Sequence, residues 1–200
     1  TPLNFIPYAS KENITLTVFS ADCINHANAY SPLPQSVKVH IKIDSGMGRI
    51  GVTTKEELQA LYEAIAATSQ FILDGIFTHF ASADCDLDKR DTFTNDQYSR
   101  FSLAVKEFKK YGLTPNLVHC CNSAAICKDD DKHLNMCRAG IILYGLTPSS
   151  ELELEQDFIP VMSFKSVVSQ VKTIHKGDTV SYGRTFKAEK DMQIATVSAG

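Results

Sequence analysis

The feature that most constrains this chain is a unit that recurs through residue 150: a short apolar run suited to a buried strand, then a segment with apolar residues at helical spacing. Strands that alternate with helices fold as a parallel sheet covered by helices, because a parallel neighbour is reached only by a crossover long enough to hold a helix. Ile14 to Phe19 reads as the first strand and Ser20 to Tyr30 as a short helix. Val37 to Ile43 is the next strand and ends in the glycine-rich turn Asp44-Ser45-Gly46-Met47-Gly48-Arg49. Thr54, with Glu57 three residues later, is a capping-box pattern, and Leu58, Leu61, Tyr62 and Ile65 form the apolar face of the helix it opens. Ile72 to Phe80 is the third strand. Thr94 with Gln97 opens a helix faced by Tyr98, Phe101, Val105 and Phe108 and stopped at Gly112. Asn116 to Cys121 is the fourth strand, with Asn122-Ser123 where a helix N-cap would stand, and Met136 to Tyr144 is a fifth strand or strand-to-turn segment.

After Pro148 the pattern changes. An acidic stretch from Glu151 to Asp157 has the character of a solvated linker. Val161 to Ile174 alternates as a long β segment, Lys176-Gly177-Asp178 is a turn, and Thr179 to Phe186 and Gln193 to Val197 are further strands. The expected organisation is an α/β domain over 1–150, a linker over 151–158 and an all-β segment over 159–200.

Charge and apolar runs exclude some partners. Twenty basic residues against 23 acidic ones give a net charge of -3, without the basic footprint that neutralises a nucleic-acid backbone. The longest apolar run, Ala139 to Leu146, is far short of the roughly 20 residues that span a bilayer, so no membrane contact is expected of this segment. The six cysteines show neither a CxxC pair nor a secreted framework, which fits reduced thiols in a cytoplasmic protein. No metal is expected: His119, Cys120, Cys121 and Cys137 lack paired spacing, and adjacent cysteines on a strand would point to opposite faces.

Polar residues and glycines cluster directly after the predicted strands, at Lys42 to Arg49, His79, His119 to Ser123, and Arg138 to Ile141. In a parallel barrel that is the carboxyl-terminal rim, where sites are built. Any one such His or Arg, taken alone, is more often a structural hydrogen-bonder than a catalyst. Four clusters in register favour a site.

Those segments carry a resemblance. Lys42-Ile43-Asp44-Ser45-Gly46-Met47-Gly48-Arg49-Ile50-Gly51 resembles the alanine racemase signature, and Thr78-His79-Phe80-Ala81, His119-Cys120-Cys121-Asn122-Ser123-Ala124-Ala125, Arg138-Ala139-Gly140-Ile141, Tyr144-Gly145 and Val180-Ser181-Tyr182-Gly183 agree in order. The resemblance implies part of an eight-stranded α/β barrel of the TIM type, then the start of a β domain, in a homodimer whose active sites draw on both subunits. It implies pyridoxal phosphate as cofactor and interconversion of L- and D-alanine for peptidoglycan precursors, with a racemase for serine or another small amino acid as the alternative.

By the same resemblance, Ser123, Gly140 and Ile141 hold the cofactor phosphate, with Asn122 and His119 also at the cofactor. Arg138 faces the pyridine nitrogen, backed by His79. A guanidinium only donates, so that nitrogen stays unprotonated and the ring is a weaker electron sink. Tyr182 is the base on one face of the substrate. Alone, it also suits a packed strand aromatic. Arg49 lies near the substrate carboxylate, and Lys42 is the lysine that is carbamylated in the family. Without that change or another anion, Lys42 and Arg49 would set two cations against each other. The family's second base, the lysine that carries the cofactor, has no counterpart here; it is expected upstream of Thr1, and the chain alone is expected to be inactive and, with unpaired barrel edges, poorly stable or self-associating. Two other classes compete. Related decarboxylases carry glutamate where Arg138 stands, and non-catalytic cofactor-binding barrels lack Tyr182 and the β segment.

Overall fold

Four short strands, β1 (Leu16–Val18), β2 (Val37–Lys42), β3 (Phe71–Phe77) and β4 (Leu117–His119), lie side by side in chain order in one wholly parallel sheet. Between them run α2 (Ala21–Ala27), α3 (Lys55–Ala66) and α4 (Leu87–Lys110), with α1 (Ile6–Lys11) before β1 and α5 (Ser123–Lys128) after β4. The computed structural model describes residues 3–85, 87–111, 114–128, 130–152 and 158–199. They fall into two compact units, Thr1–Pro160 and Val161–Gly200.

Each crossover forms for reasons present in its residues. Ser20 Oγ caps α2 by accepting the Cys23 N–H. Thr54 and Glu57 form the full reciprocal capping box of α3: Thr54 Oγ1 accepts the Glu57 N–H at 3.1 Å, and Glu57 Oε2 accepts the Thr54 N–H at 3.2 Å. Strand β2 is buried on both faces, as the centre of a parallel sheet requires. Its Val37, Val39 and Ile41 share a core with Leu58, Leu61 and Ile65 of α3 and Phe101 and Phe108 of α4. The other face carries His40 and Lys42, both buried. Between β2 and β3 the register slips: Val39 pairs with Leu73 and His40 with Gly75, leaving Asp74 as the extra residue of a bulge.

Several boundaries differ from the sequence expectation. Helix α4 begins at Leu87, so Thr94 and Gln97 are buried residues inside it and not its start. Gln97 instead ties down the loop after β3, accepting the Ala81 N–H and donating to His79 O. The expected stop at Gly112 and most of the acidic linker, 153–157, lie outside the described residues. Met136 to Tyr144 is not a strand: residues 136–140 are irregular, and Ile141–Tyr144 is a 3₁₀ turn closed by Gly145 at φ +75. Arg138 N–H donates to Cys121 O, Gly140 N–H to Ser123 Oγ, and Leu143 N–H back to Gly140 O, which is not the pattern of a ladder. Cys120 and Cys121 follow β4, outside any strand, and both thiols donate to Lys132 O, so they converge where opposite faces were expected.

In the second unit, β5 (Val168–Ile174) pairs antiparallel with β8 (Met192–Val197), and β6 (Thr179–Val180) with β7 (Phe186–Lys187). The strand expected from Val161 is shorter, beginning at Val168, because among the described residues no strand pairs with 161–167. The strand expected over Thr179 to Phe186 is broken by a 3₁₀ turn at Tyr182–Arg184, where Ser181, Gly183 and Arg184 all have positive φ. Among the described residues no helix is long and apolar enough to cross a membrane.

Candidate active site

The parallel strands deliver their polar residues to one rim. Lys42 ends β2, His79 follows β3, and His119 ends β4, leading into Asn122 and Ser123 at the start of α5. Arg138 reaches this rim from the irregular segment and is its hub. Its Nη1 donates to His119 Nδ1, and its Nη2 to Thr78 O at 2.8 Å, Cys120 O at 3.2 Å and His79 Nδ1 at 3.2 Å. Its guanidinium carbon stands 5.1 Å from the Phe77 ring centroid, and that ring stacks on His119.

Arg138 fixes the protons around it. A guanidinium has no acceptor, so both imidazole nitrogens that meet it must be unprotonated. Burial and the Arg138 charge push His119 down to about 3 and, helped by Arg49 and Lys42, His79 to about 4. Both rings are neutral at physiological pH. His79 therefore presents its Nε2–H away from Arg138.

Lys42 is 2% exposed, donates to Ile43 O at 2.8 Å and lies 5.4 Å from the Phe77 centroid. Burial brings its pKa down to about 8; Asp44 opposes the shift, while Arg138 and Arg49 add to it. Arg49 is exposed, and its backbone closes the glycine turn. That turn is organised by Asp44, whose Oδ1 accepts the Gly46 and Gly48 N–H groups and whose Oδ2 accepts that of Arg49. Burial alone would raise the Asp44 carboxyl, but the N–H groups of Gly48, Gly46 and Met47, with the Lys42 charge, hold it below its ordinary range. Thr78 stitches turn to rim, donating to Ile43 O and sharing a hydrogen bond with Ser45.

Beside Arg138 opens a cleft of about 280 Å³ lined by His79, Asp84, Asn122, Ser123, Arg138, Gly140 and Ile141, among others. Asn122 Oδ1 accepts the Ala125 N–H, the capping role its position suggested, and Ser123 Oγ accepts the Gly140 N–H at 2.9 Å. Of the residues expected at the cofactor, His119 does not line the cleft; it is buried and meets Arg138 instead. Tyr182 belongs to the second unit and is 99% exposed.

Four participants were not singled out from the sequence. Asp44 could have been, as the first residue of the glycine turn. Thr78, His40 and Asp74 act across strands, and nothing short of the register brings them together.

The chain matches the family models described as "Alanine racemase, N-terminal domain" over residues 1–148 and "Alanine racemase, C-terminal domain" over 161–200. It is 41% identical to an alanine racemase of Anoxybacillus flavithermus over all of its length and 51% of that protein's. Among solved structures, alanine racemase from Bacillus anthracis with bound L-Ala-P aligns at a TM-score of 0.89 and 33% identity, covering 100% of this chain and 52% of that one. A histidine racemase from Leuconostoc mesenteroides aligns at 0.77 and 28%, covering 98% and 52%. The fold is thus α/β, part of a barrel followed by C-terminal strands. The chain spans about half the length of the curated relatives it matches.

Proposed function

The chain belongs to the alanine racemase family, and from that premise we propose that the complete protein interconverts L- and D-alanine with pyridoxal phosphate. The observation that carries the reading is Arg138: a permanent donor held by neutral imidazoles and two backbone carbonyls at the wall of the rim cleft.

The cleft's donor set suits that cofactor at both ends. Ser123 offers a hydroxyl and Ile141 a backbone N–H to a phosphate, beside the Gly140 N–H that Ser123 Oγ accepts in this structure, and a Cβ on Gly140 would reach within 3.3 Å of that oxygen and crowd the cradle. Arg138 offers N–H groups to an unprotonated ring nitrogen, His79 backs it, and Asn122 holds the start of α5 beside the phosphate end. Bound there, the cofactor would acidify the α C–H of an amino acid.

The remaining assignments follow the family. Arg49 receives the substrate carboxylate. Tyr182 moves a proton at the α-carbon, and its exposure leaves the phenol available to a site built by two subunits of a homodimer. Lys42 is carbamylated, which replaces its cation with an anion that Arg49 and Arg138 attract. A cytoplasmic setting fits six cysteines that are all free, and supply of D-alanine to peptidoglycan is the role the reaction serves. The domain boundaries proposed from the sequence, 1–150, 151–158 and 159–200, stand with this reading.

The test is D-alanine formation from L-alanine by the full-length protein with pyridoxal phosphate, beside its Tyr182→Phe variant. Turnover that collapses in the variant supports enzyme and base together. Turnover only with serine or another amino acid keeps the chemistry and replaces the substrate, and none with any amino acid refutes the reading.

A further inference from the structure

We propose that His40 and Asp74 are positioning residues for Arg138, acting through His119 along a buried hydrogen-bond string that crosses three strands of the sheet. The inference rests on the reading of Arg138 as the donor to the cofactor's ring nitrogen.

The string is hydrogen-bonded from Arg138 through His119 to His40, and it ends on a longer contact between His40 and the Asp74 carboxylate. His119 Nδ1 accepts from Arg138, so the proton of neutral His119 sits on Nε2, which lies 2.9 Å from His40 Nδ1. His40 Nδ1 must then accept, which leaves its own proton on Nε2, facing Asp74 Oδ2 at 3.5 Å. Among the described residues His40 Nε2 makes no hydrogen bond, and the Asp74 carboxylate is the acceptor it faces. Asp74 Oδ1 is in turn held by the Asn116 amide at 2.9 Å. A proton added to either imidazole would set N–H against N–H at one of these joints. Burial agrees with that, lowering His40 as well as His119, although Asp74 pulls His40 upward; Lys38 adds a small opposing charge.

Two backbone features serve this string and have no other evident use. His40 stands on β2 and His119 on β4, with β3 between them, and the rings meet because the residue of β3 paired with His40 is Gly75. A Cβ there would lie 2.7 Å from His40 Nε2 and 2.8 Å from two ring carbons. One residue earlier, the β-bulge takes Asp74 out of the pairing and turns a carboxylate, 7% exposed, toward the imidazole. A buried carboxylate at the end of two imidazoles makes His119 Nδ1 a better acceptor and so confines the Arg138 fork.

The experiment uses the full-length protein and its His40→Leu, His40→Gln and Asp74→Asn variants, with two readouts. The first is nitrogen-15 NMR of the histidine side chains without added cofactor. Parent protein is expected to hold His40 and His119 as neutral Nε2–H tautomers, with slowly exchanging ring protons, and Asp74→Asn to speed exchange at both. The second is pyruvate released per D-alanine formed, a measure of transamination, in which the amino group of alanine passes to the cofactor and pyruvate is left; Arg138, by keeping the ring nitrogen unprotonated, is expected to disfavour it. His40→Leu is expected to raise that ratio about tenfold, while His40→Gln, which keeps one acceptor and one donor, stays within about threefold of the parent. A merely structural His40 would lower thermal stability and leave the ratio alone. Imidazolium or Nδ1–H forms in the parent, or a ratio that His40→Leu and Asp74→Asn leave unchanged, overturns the proposal. If the parent racemises nothing, the proposed function fails, and the tautomers alone decide the string.

Discussion

Ser123 Oγ accepts the Gly140 N–H at 2.9 Å, and a Cβ on Gly140 would approach that oxygen to 3.3 Å. A methyl group on Gly140 would thus press on the hydroxyl, which would have to give by a few tenths of an ångström. A phosphate entering the cleft would meet this pair. Gly140→Ala is expected to weaken pyridoxal phosphate binding about tenfold with little change in the melting temperature. Ser123→Ala removes the acceptor, and the loss of one net hydrogen bond is expected to cost about 1 kcal/mol of stability as well as affinity. Cofactor titration by fluorescence, beside a thermal melt, separates the two effects; a Gly140→Ala protein that binds as the parent does would rule out the phosphate cradle.

Arg138 satisfies four acceptors at once, and no other side chain has that fork. Lysine supplies charge but cannot reach His119, Thr78, His79 and Cys120 together. Arg138→Lys is expected to cost about 2 kcal/mol of unfolding free energy, from acceptors left unpaired beside a buried charge, and to lower racemisation at least tenfold. Urea unfolding and steady-state kinetics on the full-length protein check both numbers, and a variant as stable as the parent would remove Arg138 from its place as hub.

Acid should destabilise the fold through the two rim histidines. His119 is held down to about 3 and His79 to about 4, chiefly by burial and then by Arg138. An unfolded chain takes up protons at both sites below about pH 6.5, and the native chain does not, so stability is fully present above that pH and falls as pH drops toward 4 and 3. The urea midpoint should decline steadily from pH 7 to pH 5, with a smaller slope in His119→Asn. An equal slope in parent and variant would place the acid sensitivity elsewhere.

Gly48 in the turn and Gly51 just after it have different duties. Gly51 has φ +139, and a Cβ there would lie 2.4 Å from Asp44 N; Gly48 has φ +68 with nothing within 4 Å. Gly51→Ala must therefore push Asp44 and its three N–H bonds out of place, while Gly48→Ala meets only its own backbone preference. The expected losses are more than about 3 kcal/mol for Gly51→Ala against about 1 kcal/mol for Gly48→Ala. Denaturant unfolding ranks the pair, and the reverse order would contradict the turn geometry.

Legibility in the sequence followed the range of the interaction. Period and capping are local, so the strand–helix alternation, the Thr54/Glu57 box and the Asn122 cap could be read from neighbours in the chain. The start of α4 was missed because its first turns, Leu87-Asp88-Lys89-Arg90-Asp91, carry no apolar periodicity. Alternation over Val161 to Val167 promised a strand, but a strand also needs a partner. The rim clusters were visible as polar residues after strands. The joints between them were not, since His40, Asp74 and His119 meet through a bulge and a glycine on an intervening strand.

Lys42 offers the sharpest chemical prediction. Carbon dioxide reacts with a neutral amine, and an exposed lysine, with a pKa near 10.4, is almost never neutral at physiological pH. Burial brings Lys42 to about 8, with Arg138 and Arg49 contributing, so an appreciable fraction is unprotonated in mildly alkaline buffer. Conversion to a carbamate replaces a cation crowded by two guanidiniums with an anion that attracts them, so the product is stabilised by the groups that lowered the pKa. Full-length protein in isotopically labelled bicarbonate at pH 8 should therefore show one protected carbamate signal, absent in Lys42→Gln and fading as acid protonates the amine. Added bicarbonate should also raise the melting temperature of the parent and not of the variant. A signal that survives the Lys42→Gln change, or none in the parent, would mean that another anion, such as chloride, neutralises this corner of the site.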